Sequence, residues 1–588
     1  MRHRPAGIAV LVLVLTTVLA NAPAEAADAW RAKIDPQALT VAQAATADVI
    51  VYLVEQADLG RAQDLADRRT RGRAVYDALR EVAERTQPGL RDALDAAGAP
   101  YRAFWVVNAF AVPQADAALL AQLAARADVA RIALDPLTPL APPETALPFV
   151  APAAGARDLP WNLDQIGAPQ VWTTGNSGQS CVVGILDTGC DWEHPALRNQ
   201  YRGWNGAAAD HDYNWHDAAH TGGGVCGSDS PVPCDDNGHG THILGTVVGD
   251  DGQGMAIGVA PGARWIACRC IAGGWSSPSM LYEGFEWMLA PTPVGGGAGD
   301  PDRAPDVITT AWQCPPAMGC TWGTLWPAIA AVRAAGIVVV ATGGNDGPGC
   351  GSIVDTPACY DEAYTVGATG VGDVIAPFTS RGPVSSPQGA LVKPDLTAPG
   401  VNILSSLPNG NYAYWSGTAM AVAHVAGVVA LAVTADPALA GDPDAIEDRL
   451  NATAASLVSD ECGDGDAVPN NVYGHGRVDA EAACAPVTAV PLAAARLPRL
   501  LPNAPNPFNP RTTLAYELAA TSAVSLRIFD AAGRFVRTLV DEPAQAPGLY
   551  RVNWDGRDQQ GRDVAAGVYF SLLRSGGTSA VGRLVLVR

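Results

Sequence analysis

The chain has 588 residues, 48% of them hydrophobic and 16% charged. That is too long for one ordinary core and too apolar for a disordered chain. A formal net charge of −21 excludes nucleic acid or an anionic membrane surface as the partner, because so acidic a surface repels phosphates.

The N-terminus reads as an export signal over residues 1–26: a basic head "MRHR", an apolar run from Ala6 to Ala20, and "AEA" at Ala24 to Ala26 as a small-x-small cleavage site. The run is short for a membrane span, and no other stretch reads as a transmembrane anchor. Residues 27–150 are Ala-rich and free of cysteine. "ADVIVYLVEQ" predicts a strand and "DLADRRTRGRAVYDALREVAERTQ" an amphipathic helix. "YRAFWVVNAFAVP" predicts two strands, and "ADAALLAQLAARADVARIALD" a helix followed by a strand. The order β-α-β-β-α-β is that of a small ferredoxin-like domain. "PLTPLAPPETALPFVAPAAG" then reads as an extended linker.

From 155 to 485 short apolar runs such as "CVVGIL", "WIACRCI" and "GIVVVAT" alternate with Gly-rich turns and helical stretches. Fully apolar strands separated by helices predict a doubly wound α/β fold with a mostly parallel sheet. All twelve cysteines lie between Cys181 and Cys484, which in an exported chain predicts loop-stapling disulfides of unspecified pairing. Cys226 and Cys234, Cys314 and Cys320, and Cys350 and Cys359 sit close together in sequence; Cys268 and Cys270 alternate along a strand and are expected to bond elsewhere or stay free. Residues 486–508 read as a second, proline-rich linker. In 509–588 period-two runs ("TTLAYELA", "AVSLRIFD", "GLYRVNWD", "GVYFSLLR", "GRLVLVR") punctuated by turn residues predict a small antiparallel β-sandwich.

Three central stretches carry the chemistry. "CVVGILDTGCDWEHP" is a buried strand ending in Asp187, "DDNGHGTHILGTVVG" turns into a helix at His239, and "GTAMAVAHVAG" turns into a helix at Ala419. An acid at a strand's carboxyl end and a histidine at a helix entrance meet at the ligand edge of such a sheet. Singly each has a bland reading as a cap or loop residue. In this order they resemble the subtilase (subtilisin-like serine peptidase) family, over about residues 161–484, with "FTSRGP", "KPDLTAPG" and "YGHGRVDA" as further framework matches. "QCPPAMGC" and "GPGCGS" resemble the bacillopeptidase F-like branch. The resemblance implies that Asp187 orients the histidine, that His239 is the general base and that Asn345 is the oxyanion-hole donor. It also implies that the N-terminal domain is a propeptide that assists folding and caps the site. "PNPFNPRTTLAYEL", "FDAAGRFVRTLV" and "WDGRDQQGRDVAAGVYF" resemble a FlgD-like Ig or secretion-sorting domain, which implies a role with the cell surface or secretion machinery.

The departures from the family pattern are Ala419 in the serine's place, Ala423 in a proline's, Gly344 in an alanine's, and a groove strand "TTAWQ" with Ala311, Trp312 and Gln313. A methyl group cannot attack a carbonyl, and Ser416 stands before the Gly-Thr turn. The reading favoured on these grounds is a pseudopeptidase that binds peptides without turnover. The alternative is a secreted serine endopeptidase whose nucleophile is replaced in this particular sequence. In either case the partners are a polypeptide and the chain's own propeptide. No cofactor is required, and a structural calcium is left open. His211, His216 and His220 are read as a solvated loop rather than a metal site, and Asp235 and Asp236 show no EF-hand-like spacing. Without a nucleophile, self-cleavage near residues 145–160 is expected to fail.

Overall fold

The computed structural model describes residues 29–587 except 64, 66, 143, 148–158, 223, 388, 464–466, 487–498, 519–520, 531–534 and 576–577. The export signal expected at 1–26 lies outside the described residues, as does most of the stretch where self-cleavage is expected. The chain divides into two units, 1–485 and 486–588.

The first unit begins with β1 (Ala47–Leu53), α1 (Arg68–Thr86), α2 (Pro88–Ala97), β2 (Arg102–Phe104), β3 (Ala109–Ala115), α3 (Ala117–Ala124) and β4 (Val129–Leu134). Helix α1 starts where the Asp67 side chain accepts the Thr70 N–H at 2.8 Å. The strands form an antiparallel sheet in the order β2-β3-β1-β4. "ADVIVYL" is apolar at nearly every position because both faces of β1 are covered. Val49 and Val51 share a cluster with Leu90 of α2 and Leu120 of α3. Ile50 and Tyr52 share another with Tyr282 and Phe285 of the following core. Polar contacts reinforce that junction: the Tyr52 and Tyr282 hydroxyls are 2.6 Å apart, Arg68 pairs with Asp306 at 3.0 Å, and Arg102 pairs with Glu283. The stretch read as a free linker is partly strand. β5 (Thr138–Pro139) pairs with β10 (Trp275–Ser276), and β6 (Glu144–Leu147) pairs with β18 (Asn411–Ser416).

The core of the unit is a seven-stranded sheet built from β7 (Val182–Asp187), β8 (Trp215–Asp217), β9 (Arg264–Arg269), β11 (Val307–Thr310), β12 (Val338–Thr342), β13 (Tyr364–Thr369) and β16 (Leu396–Pro399). All its pairings are parallel, in the order β16-β13-β12-β11-β7-β9-β8. The chain leaves β7 toward β9 and later crosses to β11 on the other side. The carboxyl end of β7 is therefore a switch point, where such sheets bind ligands, and Asp187 is its last residue. Helices α4 (His239–Val248), α5 (Pro278–Leu289), α6 (Trp322–Ala334) and α7 (Thr418–Ala435) cover the sheet. A hairpin of β14 (Val384–Ser386) and β15 (Gly389–Leu391) and the pair β17 (Ile403–Leu407) with β18 complete the unit. Helix α7 is buried from Thr418 to Val433. By length and composition it is the one helix among the described residues fit to cross a membrane, and 89% of its window is buried inside the protein. Its small residues permit close contact: a Cβ on Gly427 would stand 2.5 Å from the Cβ of Val259.

Three disulfides close among the described residues: Cys226–Cys234, Cys314–Cys320 and Cys350–Cys462. Two join sequence neighbours, but Cys350 passes over Cys359 for a partner 112 positions away, a pairing only the fold brings together. Cys181, Cys190, Cys268, Cys270, Cys359 and Cys484 stay reduced, and all but Cys484 are buried.

The second unit holds two antiparallel sheets, β19-β20-β23 and β22-β21-β24-β25. These strands are β19 (Arg499–Ala504), β20 (Thr512–Leu518), β21 (Ser522–Asp530), β22 (Phe535–Gln545), β23 (Gly548–Trp554), β24 (Gly567–Ser575) and β25 (Thr578–Leu586). β20 alternates buried and half-buried residues at every step, as a strand with one face on a core must. Leu514, Leu526, Ile528 and Trp554 meet in that core. β19 lies inside the stretch read as linker; its proline, Pro502, and short length hide it from a period-two pattern.

Gly427→Ala tests the packing of α7. Alanine gains about 1 kcal/mol of helix propensity, but overpacking costs about 1–3 kcal/mol. The thermal midpoint is therefore expected to fall, and a rise in the melting curve would show that α7 has room to spare.

Candidate functional site

Asp187 ends β7 with no exposed surface. Its Oδ1 accepts the Thr188 N–H and lies 2.8 Å from His239 Nδ1. Burying a carboxylate costs several kcal/mol unless it is partnered, and the imidazole is that partner. His239 therefore donates from Nδ1 and turns Nε2 toward the cleft. Burial alone would push its pKa down; the Asp187 charge and hydrogen bond, with Asp235 beyond, outweigh burial and hold it above the ordinary 6.5.

His239 is placed by the cap of α4. Gly238 has φ 98°, a left-handed turn that favours glycine. Asp235 accepts the N–H groups of Asn237, Gly238 and Thr241 and the hydroxyls of Thr188 and Thr241. Asp236 accepts the Gly273 N–H and pairs with Arg269 at 3.1 Å. Both carboxylates, raised in the sequence as calcium ligands, are thus engaged by protein donors. Asp235 as the anchor of the helix entrance is a role the sequence reading missed; an acid four residues before a Gly-His turn is the signal for it. Trp415, also missed, stacks on His242 with centroids 4.6 Å apart and lies 6.3 Å from the His239 ring.

Asn345 follows β12. Its Oδ1 accepts the Thr418 N–H at 3.0 Å and the Thr418 hydroxyl at 2.8 Å, which leaves the Nδ2 donors to the cleft. Thr418 Oγ1 is itself 2.6 Å from Thr342 Oγ1. Thr418 therefore aims Asn345 and also starts α7, so residue 419 follows directly. Ala419 lines one cavity of about 70 Å³ together with His239, Asn345, Ala311, Trp312 and Gln313, and Pro139, Leu140 and Ala141 of the preceding segment close its other side. Ser416 also lines this cavity, but its Oγ is engaged, accepting the Asn402 N–H at 2.9 Å.

The groove residues divide. Ala311 and Trp312 are buried, and Trp312 Nε1 donates to the Leu186 carbonyl at 2.8 Å, bracing the strand that carries Asp187. Gln313 is half-buried. A Cβ on residue 344 would stand 2.6 Å from its Nε2. Gly344 and Gln313, two separate departures in the sequence, are one complementary packing solution. Ala423 is fully buried in the core of α7, and His424 bonds to the Met420 carbonyl and to Asn162 at 2.7 Å. Among the described residues no group of three or more His, Cys, Asp or Glu stands arranged for a metal ion. His211, His216 and His220, read as a solvated loop, are instead partly buried and hydrogen-bonded, and His216 lies on β8 at the sheet edge.

With this geometry in hand, the comparisons are specific. Residues 178–476 match the model of the subtilase family, and 509–571 match the FlgD Ig-like domain. Bacillopeptidase F of Bacillus subtilis (strain 168) is 39% identical over 336 residues, covering 56% of this chain and 22% of that protein. The major intracellular serine protease of the same strain is 32% identical over 276 residues, 47% of this chain and 75% of the relative. Subtilisin Savinase of Lederbergia lenta is 31% identical over 329 residues, 56% of this chain and 99% of the relative.

These findings overturn the pseudopeptidase reading. The relatives are subtilisin-type proteases by name, and the buried Asp187–His239 pair stands intact at 2.8 Å. The other departures from the family pattern do not loosen the site: Gln313 and Gly344 fit one another, and Ala311 and Ala423 are packed. The change at 419 is confined to one missing oxygen.

The charge effect on His239 has a direct readout. Followed by NMR, its ring is expected to titrate above 6.5, and Asp187→Asn to move it below, since burial, the largest influence, is then opposed only by the more distant Asp235 charge. An unmoved midpoint would show that the carboxylate does not set it.

Proposed function

This chain belongs to the subtilase family, and we propose on that premise that it is an exported serine endopeptidase in which residue 419 is the seat of the nucleophile. The observation that carries the reading is the convergence of the Asp187–His239 pair and the aimed Asn345 carboxamide on the cavity at residue 419. In the reaction so built, a hydroxyl at 419 gives its proton to His239 Nε2 and its oxygen attacks the peptide carbonyl. Asp187 keeps the imidazole in the required tautomer and balances its charge. Asn345 Nδ2 and the N–H of residue 419 receive the developing oxyanion. His239 then passes the proton to the leaving amine. In this sequence the seat holds a methyl group, so the full cycle calls for serine there.

The N-terminal domain, residues 27–150, is proposed as a ferredoxin-like propeptide. Its β-α-β-β-α-β order and the segment Thr138–Ala141, which runs from β5 into the cleft beside His239 and residue 419, support this. The substrate is a polypeptide, laid along β10 and β18 as the segments 138–139 and 144–147 are. Export is supported by the three disulfides, which persist in oxidising compartments. The FlgD-like unit is proposed to serve attachment at the cell surface or the secretion machinery.

The deciding experiment compares the unmodified chain with Ala419→Ser on casein and with a fluorophosphonate probe. The serine form is expected to be labelled and to gain on the order of 10⁶ in kcat, the scale of the loss when a subtilisin gives up its serine. It is also expected to cut itself near residues 145–160. No gain in the serine form would refute the reading. Within the serine form, Asn345→Ala is expected to lower kcat by about 10²–10³. Its kcat/KM is expected to fall in acid with a midpoint above 6.5, because His239 must be neutral to act and its pKa is raised.

A further inference from the structure

The cavity at residue 419 lies between the ends of two neighbouring strands. β11 and β12 pair in parallel, and the residues at and just beyond their carboxyl ends, Ala311 to Gln313 and Thr342 to Asn345, flank the cavity. Most of these side chains leave it room. Ala311 offers a methyl group, and Trp312 is turned to the Leu186 carbonyl. Thr342 Oγ1 is held by Thr418 Oγ1, and Gly343 and Gly344 have no side chain. Gln313 differs. It is half-buried, and its Nε2 reaches to 2.6 Å from where a Cβ on residue 344 would stand. The carboxamide therefore crosses from one wall toward the other.

The chain itself shows how a peptide enters. Thr138 and Pro139 of β5 pair with Ser276 and Trp275 of β10, and the Leu140 N–H donates to the Gly274 carbonyl at 2.8 Å. In such strand addition the backbone ladder supplies affinity and the pockets supply specificity. The ladder delivers Ala141 to the mouth of the cavity, where it is exposed and shares the lining with Gln313. With only that methyl group there, the cavity measures about 70 Å³. A benzene ring occupies an apolar cavity of about 150 Å³. An aromatic or long aliphatic side chain at this place would have to push the carboxamide aside or strip it of water, and burying an amide without a hydrogen-bond partner is costly.

We propose that Gln313 sets the specificity of this site, admitting polypeptides at bonds that follow glycine, alanine or serine and rejecting those that follow phenylalanine, tyrosine or leucine. Gly344 is part of the same device, because any side chain there would meet the carboxamide. The inference rests on the peptidase reading and names the bonds that such a peptidase cuts.

The test uses the full chain as Ala419→Ser, with and without Gln313→Gly. Each form digests casein, and mass spectrometry reads the residue before every cut. Two tetrapeptide anilides that differ only in alanine or phenylalanine at the last residue give a ratio of kcat/KM. The serine form is expected to cut after glycine, alanine and serine and to favour the alanine anilide by about tenfold or more. Gln313→Gly is expected to add cuts after phenylalanine, tyrosine and leucine and to lower the alanine-to-phenylalanine ratio by about tenfold or more. A merely structural role for Gln313 would lower both rates together and leave the ratio unmoved. Circular dichroism identifies a variant that fails to fold, and Gln313→Ala, which removes most of the same side chain, then takes its place. Frequent cuts after large residues in the serine form, or an unmoved ratio in a folded Gln313 variant, overturn the proposal and leave the peptidase reading standing. A serine form that cuts neither casein nor the anilides refutes that reading, and this inference falls with it.

Discussion

The rest of the site depends on a buried negative charge. Asp187 ends a strand enclosed on both faces, and no water reaches it to stabilise its ionised form. Its stability there rests on the Thr188 N–H and the His239 imidazole, so His239 cannot be displaced without exposing an uncompensated carboxylate. Asp235 meets that demand from the other side. It collects five donors around the entrance to α4 and fixes the helix whose first residue is the histidine. Two carboxylates, one at a strand end and one at a helix start, thereby define where the imidazole sits and which tautomer it adopts.

The second half of the site is set by packing rather than charge. Helix α7 is buried along its length and packs so closely that a Cβ on Gly427 would meet Val259, and Thr418 is its first residue. Thr418 then directs Asn345 through two hydrogen bonds. The cavity at residue 419 is assembled by neighbours that do not require the residue's own side chain. This is why an alanine there leaves the geometry standing. The donors and the histidine around it are set by other residues.

What was legible in the sequence follows from the same division. Asp187, His239 and Asn345 were legible as candidates from their motifs, and the structure brings Asp187 and His239 into contact and holds Asn345 on Thr418. The strands β7, β9 and β12 were identifiable because burial on both faces forces continuous apolar runs. The sequence pattern misled where a residue's meaning lies in a distant neighbour. Gln313 stood as a separate departure from the family pattern, yet its side chain occupies the space that a Cβ at residue 344 would need. Ala311 and Ala423 stood as further departures, yet both are packed. Cys350 has its partner 112 positions away, a separation no spacing rule reaches. Segments 138–139 and 144–147 read as linker because proline and alanine carry no strand periodicity, although the core's edges make strands of them.

The junction between the N-terminal unit and the core combines terms of opposite sign. The apolar contact of Ile50, Tyr52 and Phe104 with Tyr282 and Phe285 favours docking without direction or specificity. Orientation comes from polar groups: Arg68 on Asp306, Arg131 on the Gly323 carbonyl, and Glu286, which accepts the N–H groups of Trp105 and Val106. Burial pushes the Glu286 carboxyl up to about 8 in spite of those two donors. Its ionised form is thus better solvated in water than in the junction, and at neutral pH this group opposes the docking that it orients. Glu283 is drawn between Arg102 on one side and two histidines of the core on the other. An interface of apolar contacts alone would be tight and indifferent to conditions. With Glu286 buried where its ionised form is disfavoured, the junction is specific and its strength depends on pH.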